Sequence, residues 1–214
     1  MPFQNAIGFF TSLGVQSVIY DVDGNIYTFV TIGTQQWLVE NLKTTKYRDG
    51  TPIPNVTVDA TWAADITGAY CWYNNDIANK TPYGALYNWY AVNNAHVLAP
   101  TGWRVPSNAD WATLIAFLGG SAVAGGKLKE QGLAHWDNPN TDATDDYGFK
   151  ALGNGYRSSA GVFTEWGTAV IFGGSSSSGG FSTQGACYFD RADFDYSTMG
   201  SFIPGKSIRC MRDI

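Results

Sequence analysis

Three observations predict an α+β fold. One window near the middle, beginning at Ser107, carries a complete helix signature from cap to stop. The segments before it are β-rich runs broken by Asp-Gly and similar turns, the pattern of short strands. From Gly155 onward the chain loses aliphatic periodicity and mixes Gly and Ser with aromatics and a few Asp and Arg, which reads as long irregular loops on a fixed scaffold. At 214 residues there is enough chain for one substantial core.

Residues 1–17 read as an appendage, with Phe3, Ile7, Phe9, Phe10 and Leu13 and no charged side chain among the first sixteen residues. Such a stretch is adhesive on a monomer, so it predicts attachment or a homo-oligomer, with a trimer as the expected assembly. The domain proper spans residues 18–214. Val18-Ile19-Tyr20 and Ile26-Tyr27-Thr28-Phe29-Val30 flank Asp23-Gly24, a hairpin signal because Gly24 tolerates positive φ. Asp21, Asp23 and Asn25 have the spacing that opens a calcium loop, but Ile32 stands where the closing Glu belongs, so they read as turn residues. Tyr83, Leu86, Tyr87 and Tyr90 recur at helical spacing after Pro82 and predict a helix with an aromatic face.

The strongest helix follows. Ser107 is an N-cap with Asp110 three residues on, Trp111, Leu114, Ile115 and Leu118 form one stripe, and Gly119-Gly120 stops it. The Ala124-Gly125-Gly126 run predicts at best a short weak helix, since each glycine costs up to ~1 kcal/mol relative to alanine. Gly173 to Gly180 reads as a flexible exposed loop.

Charge and composition narrow the function. A net charge of -5 without any basic cluster argues against nucleic acid, whose phosphates require a gathered positive footprint. No stretch of ~18 apolar residues is available to span a bilayer. The N-terminus lacks the basic start of a secretory signal, although the rest of the chain reads as extracellular or displayed on a virion. Cys71, Cys187 and Cys210 allow at most one intrachain disulfide, of undetermined pairing.

Three ordered blocks carry a family resemblance. The first joins Asp23-Gly24-Asn25 and Tyr27 to Ile32-Gly33, Gln35, Trp37-Leu38 and Glu40-Asn41-Leu42-Lys43. The second joins Cys71-Trp72-Tyr73-Asn74-Asn75-Asp76 to Tyr83-Gly84, Leu86-Tyr87-Asn88-Trp89 and Ala91-Val92. The third runs from Gly102-Trp103-Arg104-Val105-Pro106-Ser107 through Asp110-Trp111 to Leu128-Lys129. With Gly155-Tyr156-Arg157 and the closing Ile208-Arg209-Cys210-Met211-Arg212-Asp213, the chain resembles the Fibrobacter succinogenes major paralogous domain from about Val18 to its end. The resemblance implies a C-type-lectin-like fold: a twisted antiparallel sheet, two helices, adjacent terminal strands and a long irregular C-terminal insertion. It also implies a displayed protein of a bacterial surface or phage, in some members a variable protein of a diversity-generating retroelement that binds through the segment ahead of the Arg-Cys ending. Here that segment is residues 158–204. Two departures stand out: Leu98-Ala99-Pro100 replaces a usual cysteine, and Phe172-Gly173-Gly174-Ser175 and Ala186-Cys187-Tyr188 replace usual tryptophan runs.

The expected function is therefore ligand or receptor binding, toward a protein or glycan on a cell surface. Phe163, Trp166, Phe172, Phe181, Tyr188 and Tyr196 are the aromatic candidates, with Arg191 as a cationic anchor and Asp190, Asp193 and Asp195 as acceptors. Part of this set is expected beneath the loops, because strand alternation would place Tyr188, Asp190 and Ala192 on one side and Phe189, Arg191 and Asp193 on the other. A structural or decoration protein of a virion or surface layer is the alternative. An enzyme is not expected, since Glu40, Glu130, Glu165, His96 and His135 show no catalytic spacing and Cys187 lacks an activating neighbour. Neither sugar-binding tripeptide of the calcium-dependent lectins is present. No cofactor is expected; Asp137, Asp142, Asp145 and Asp146 form the one oxygen-rich loop where calcium would sit.

Overall fold

The computed structural model describes residues 18–214, so the predicted appendage at 1–17 lies outside the described residues. The chain forms β1 (Ile19–Tyr20), β2 (Ile26–Tyr27), β3 (Phe29–Ile32), β4 (Gln35–Leu38), α1 (Asp59–Ala64), β5 (Tyr70–Cys71), α2 (Lys80–Tyr83), β6 (Leu86–Tyr87) and α3 (Trp89–Val92). It continues through α4 (Asn108–Phe117), α5 (Ser121–Leu128), β7 (Asn154–Arg157), β8 (Phe163–Trp166), β9 (Ala169–Ser178), β10 (Phe181–Tyr188), β11 (Phe194–Gly200), β12 (Lys206–Ser207) and β13 (Met211–Asp213). The fold is α+β, dominated by sheet.

The predicted hairpin forms: β1 and β2 pair antiparallel, and Gly24 takes φ 78° at the turn. Asp21 organises it by accepting from the backbone N–H groups of Asp23 and Asn25 and from the Tyr27 hydroxyl. The end of the chain returns to the start of the domain, because β13 pairs with β4, and β4 with β3. The principal sheet has the order β11-β10-β9-β12-β6-β5, with β7 running parallel to β9 and carrying β8.

Helix α4 matches its signature. Ser107 Oγ accepts from Asp110 N at 3.2 Å, while Asp110 Oδ2 accepts from Ser107 N at 2.8 Å, a reciprocal capping box. Burial disfavours the Asp110 charge, yet Arg104 and the Ser107 donors hold its carboxyl below the ordinary aspartate value. Trp111, Leu114, Ile115 and Leu118 are buried as the stripe requires. Trp111 packs on Trp37 at 4.8 Å, on Phe194 at 5.2 Å and on Phe172 at 5.8 Å, joining α4 to both sheets.

Four expectations need correction. Leu86 and Tyr87 form strand β6 between two short helices, because Gly84 breaks the backbone at φ 78° and Tyr87 and Leu86 pair with both β5 and β12. The run from Gly173 is no flexible loop, since Gly173 to Ser178 continue β9 and only Gly179 and Gly180 turn. Residues 158–204 are accordingly mostly strand, with β9, β10 and β11 forming an antiparallel ladder, its register shifted once between Ser182 and Gln184, in place of irregular loops. The expected alternation past Tyr188 fails as well, since residues 189–193 turn between β10 and β11.

The Ala124-Gly125-Gly126 stretch forms an eight-residue helix, α5, despite its glycines. A Cβ on Gly125 would collide with the Asp193 carbonyl and one on Gly126 with the Asp142 carbonyl. Close approach is what the glycines supply: Gly126 N donates to Ala192 O at 2.8 Å, so tertiary contact outweighs low helix propensity.

Candidate binding face

Strand alternation divides β9 and β10 into two unlike faces. Val170, Phe172, Cys187 and Phe194 point toward the helices and join the core built around Trp111 and Trp37. Ala169, Ile171 and Ala186 point the other way, with Tyr156 and Tyr188 packed at their margin. This outer face is floored by Ala169, Ile171 and Ala186 and walled by β7, β8 and the segment leading into β12. The result is an open pocket of about 330 Å³ whose lining includes Tyr156, Glu165, Ile171, Gln184, Tyr188 and Lys206.

Two of its walls are chemically unusual. Glu165 holds φ 61°, a left-handed conformation uncommon for a non-glycine residue, and Gly155 on the facing strand holds φ 61° too. Burial raises the Glu165 carboxyl above its ordinary value. Across the pocket Lys206 is only 5% exposed, and burial pushes its ammonium down to about 8. Its stem passes Gly173, where an added Cβ would touch the stem and collide with the Ile208 side chain.

The turn beside the pocket is held from beneath. Lys129, fully buried, donates to the carbonyls of Thr141, Tyr188 and Arg191 at 2.8, 2.8 and 2.9 Å. Above it, Arg191 stacks 3.9 Å over the Tyr188 ring and pairs with Asp193 at 3.1 Å and Asp195 at 2.9 Å. Arg191 hydrogen-bonds Asp195 but only ion-pairs with Asp193, whose Oδ1 has no hydrogen-bond partner among the described residues, and such exposed pairs contribute about 0–1 kcal/mol each.

A family model, the Fibrobacter succinogenes major domain, matches residues 30–212. This chain belongs to that family. No curated protein and no solved structure matches it. The family match spans the whole outer face, including every pocket residue named above.

The ten candidate residues of this major domain fall into separate places. Tyr188 lines the pocket, Arg191 stacks on its ring with Asp193 and Asp195 paired to it, and Asp190 is exposed on the adjoining turn. Trp166, 40% exposed, instead packs on Tyr73 and Tyr83, each at 4.5 Å, and Phe163 lies against Tyr73 at 5.2 Å. Phe181 is exposed just past the β9–β10 turn. Tyr196 lies opposite Gly185 on the same side of β11 as Phe194, hence on the helix side of the sheet edge. Phe172 is a correction: it is fully buried between Trp111 and Phe149 and offers a ligand nothing.

Of the six pocket residues named above, five escaped sequence reasoning: Tyr156, Glu165, Ile171, Gln184 and Lys206. The alternation Gln184, Ala186, Tyr188 against Gly185, Cys187 was the available signal for one of them, hidden because β10 reads as loop. Lys206 lies just outside the suspected segment, ahead of the closing Ser207-Ile208-Arg209 run.

The chemistry elsewhere is of another kind. Cys71, Cys187 and Cys210 are all free and buried, and burial pushes the Cys71 and Cys187 thiols up to about 12. Glu130 and His135, five residues apart, meet at 2.6 Å on a smaller pocket of about 240 Å³ that Glu40 and Lys150 also line. Tyr83 stands edge-on to His135 at 5.3 Å, which joins this pocket to the Trp166 cluster. Asp145, in the acidic loop, accepts from Lys150 N at 2.8 Å. Among the described residues no three metal-ligating side chains gather.

Proposed function

We propose that this major domain is a displayed ligand-binding module which engages a protein or glycan on a cell surface through the outer face of β7 to β11. The observation that carries the reading is the division of one sheet into a packed inner face and an outer face with an apolar floor, aromatic walls and a pocket. Binding sites take this form, with a concave apolar base and a few convergent polar groups. Adjacent terminal strands, two helices of eight or more residues and α+β composition support a C-type-lectin-like scaffold, with the binding segment as sheet rather than loop. On this reading the protein acts by binding rather than by catalysis, at an extracellular or virion surface, and homotrimeric display would multiply its avidity.

Retroelement diversification belongs to the same proposal and has a direct test. Sequencing this gene and its flanking DNA from many individuals of the source population should show substitutions at the outward positions 156, 165, 184, 188, 191 and 195. The inward positions 170, 172, 185, 187 and 194 should stay fixed. Even variation across both faces, with no template copy or reverse transcriptase nearby, would reject diversification and leave a fixed adhesive or structural contact.

A further inference from the structure

Four cationic side chains of this protein are almost entirely buried: Lys129, Arg157, Arg209 and Lys206. Three of them are saturated with acceptors. Lys129 donates to three carbonyls. Arg157 donates to the carbonyls of Gly161, Val56 and Thr57 and pairs with Asp59. Arg209 donates to Asn41 Oδ1 and to the carbonyls of Leu38, Phe149 and Lys150. Lys206 differs. Its Nζ has one hydrogen-bond partner among the described residues, the Ser182 hydroxyl at 3.2 Å, and no carboxylate within salt-bridge distance. A buried ammonium has three N–H donors and loses several kcal/mol of hydration, so it calls for a counter-charge. Here the ammonium lies against Gly200, beside Gln184, in the wall of the outer-face pocket.

Resting on the reading of this face as a binding surface, we propose that the pocket takes a terminal acidic monosaccharide, its carboxylate on Lys206 and its ring between Tyr156 and Tyr188. The single missing charge calls for one anionic group. The remaining lining, with Gln184, Ser201 and the Glu165 carboxylate at the far side, offers partners for hydroxyls. Glu165 within the pocket, Asp190 and Asp195 beside it and a net charge of -5 repel a polyanionic peptide, whereas a sugar acid brings only the one charge that Lys206 neutralises. The volume of about 330 Å³ is at the small end of ligand pockets, in keeping with a terminal sugar.

The test is titration calorimetry of the full chain with the methyl glycosides of glucuronic acid and N-acetylneuraminic acid, with methyl glucoside as the neutral control. Wild-type protein should bind at least one acid and discriminate against the neutral sugar. Lys206→Met should weaken that binding by about ten-fold or more, the worth of a charge-assisted hydrogen bond, while its circular dichroism and melting show an intact fold. Glu165→Gln should keep the preference for the acid. Equal binding of acid and neutral sugars, unchanged in Lys206→Met, would overturn the carboxylate assignment. Displacement of the sugar by an Asp-rich peptide that binds more tightly would overturn the sugar class. If no sugar binds, adhesion to intact bacterial cells separates the two levels. Adhesion lost in Tyr188→Ala overturns the sugar acid but keeps the face, and adhesion unaffected by that change overturns both.

Discussion

The inner and outer faces of the β9–β10 ladder come from the same two strands, yet one packs on the helices and the other packs beneath Tyr156 and Tyr188 at the edge of a pocket. On the inner face each residue meets a specific partner: Phe172 between Trp111 and Phe149, Phe194 against Trp111, and Gly185 at a point where a Cβ would strike the Phe194 ring. On the outer face Ala169, Ile171 and Ala186 form a small buried cluster under Tyr156 and Tyr188, and the pocket opens beside it. Close packing makes the first face intolerant of volume change, while the half-buried side chains around the pocket, Tyr156, Glu165, Gln184 and Tyr188, can be exchanged at less cost to the core. A fold that separates stability from recognition by strand parity can change its ligand and keep its structure.

The largest effect that sharpens this contrast should come from the inner face. Phe172→Ala and Phe194→Ala should each lower unfolding stability by about 3–5 kcal/mol in urea titrations, whereas Ala186→Ser on the outer face should cost far less. Next is the pH dependence of Lys206. Burial lowers its folded value to about 8 from an ordinary 10.5, so the folded state disfavours the charge and the penalty is fully present below about pH 8. Lys206→Met should therefore be more stable than wild type at pH 7, and the gap should narrow as pH rises from 8 toward 10.5. Comparing the two proteins cancels the opposing titration of the thiols and of the tyrosines, Tyr156 and Tyr188 among them. A gap that stays constant over that range would contradict the burial of an uncompensated ammonium.

Gly125→Ala should cost about 1–3 kcal/mol by driving α5 off the β10–β11 turn, and should also weaken binding if that turn supports the outer face. Ser107→Ala should cost about 1 kcal/mol by opening the capping box, with no effect on binding. Asp195→Ala, which breaks an exposed pair with Arg191, should change stability by less than about 1 kcal/mol.

Much of the scaffold was legible in the sequence, because its signals are local. The Ser107 and Asp110 cap, the Trp111 stripe and the Asp23-Gly24 turn each fix their geometry within a few residues. The site was less legible because its signals are long-range. Gly173 and Gly174 look like flexible linker by composition, yet they are buried in a strand where Gly173 makes room for the Ile208 side chain and Gly174 approaches the Pro106 carbonyl. Aromatic content marked Tyr188 and Trp166 correctly as surface-reaching, but could not separate Tyr188 at the pocket from Trp166 stacked on Tyr73 and Tyr83. It also could not reveal that Phe172 points inward, since parity depends on the β9 register and not on residue type. Lys206 carries no local signal at all; its meaning comes from the acceptors that other buried cations have and it lacks.

The central claim, that the outer face is the binding surface, is tested most directly by adhesion of the purified chain to a panel of intact bacterial cells, with variants chosen by face. Tyr156→Ala and Tyr188→Ala should abolish adhesion while melting as wild type does, and Tyr196→Ala and Phe181→Ala, which lie away from the pocket, should leave it intact. Adhesion lost in Tyr196→Ala or Phe181→Ala but kept in both pocket variants would contradict the account and move the binding surface to the sheet edge and hairpin tip.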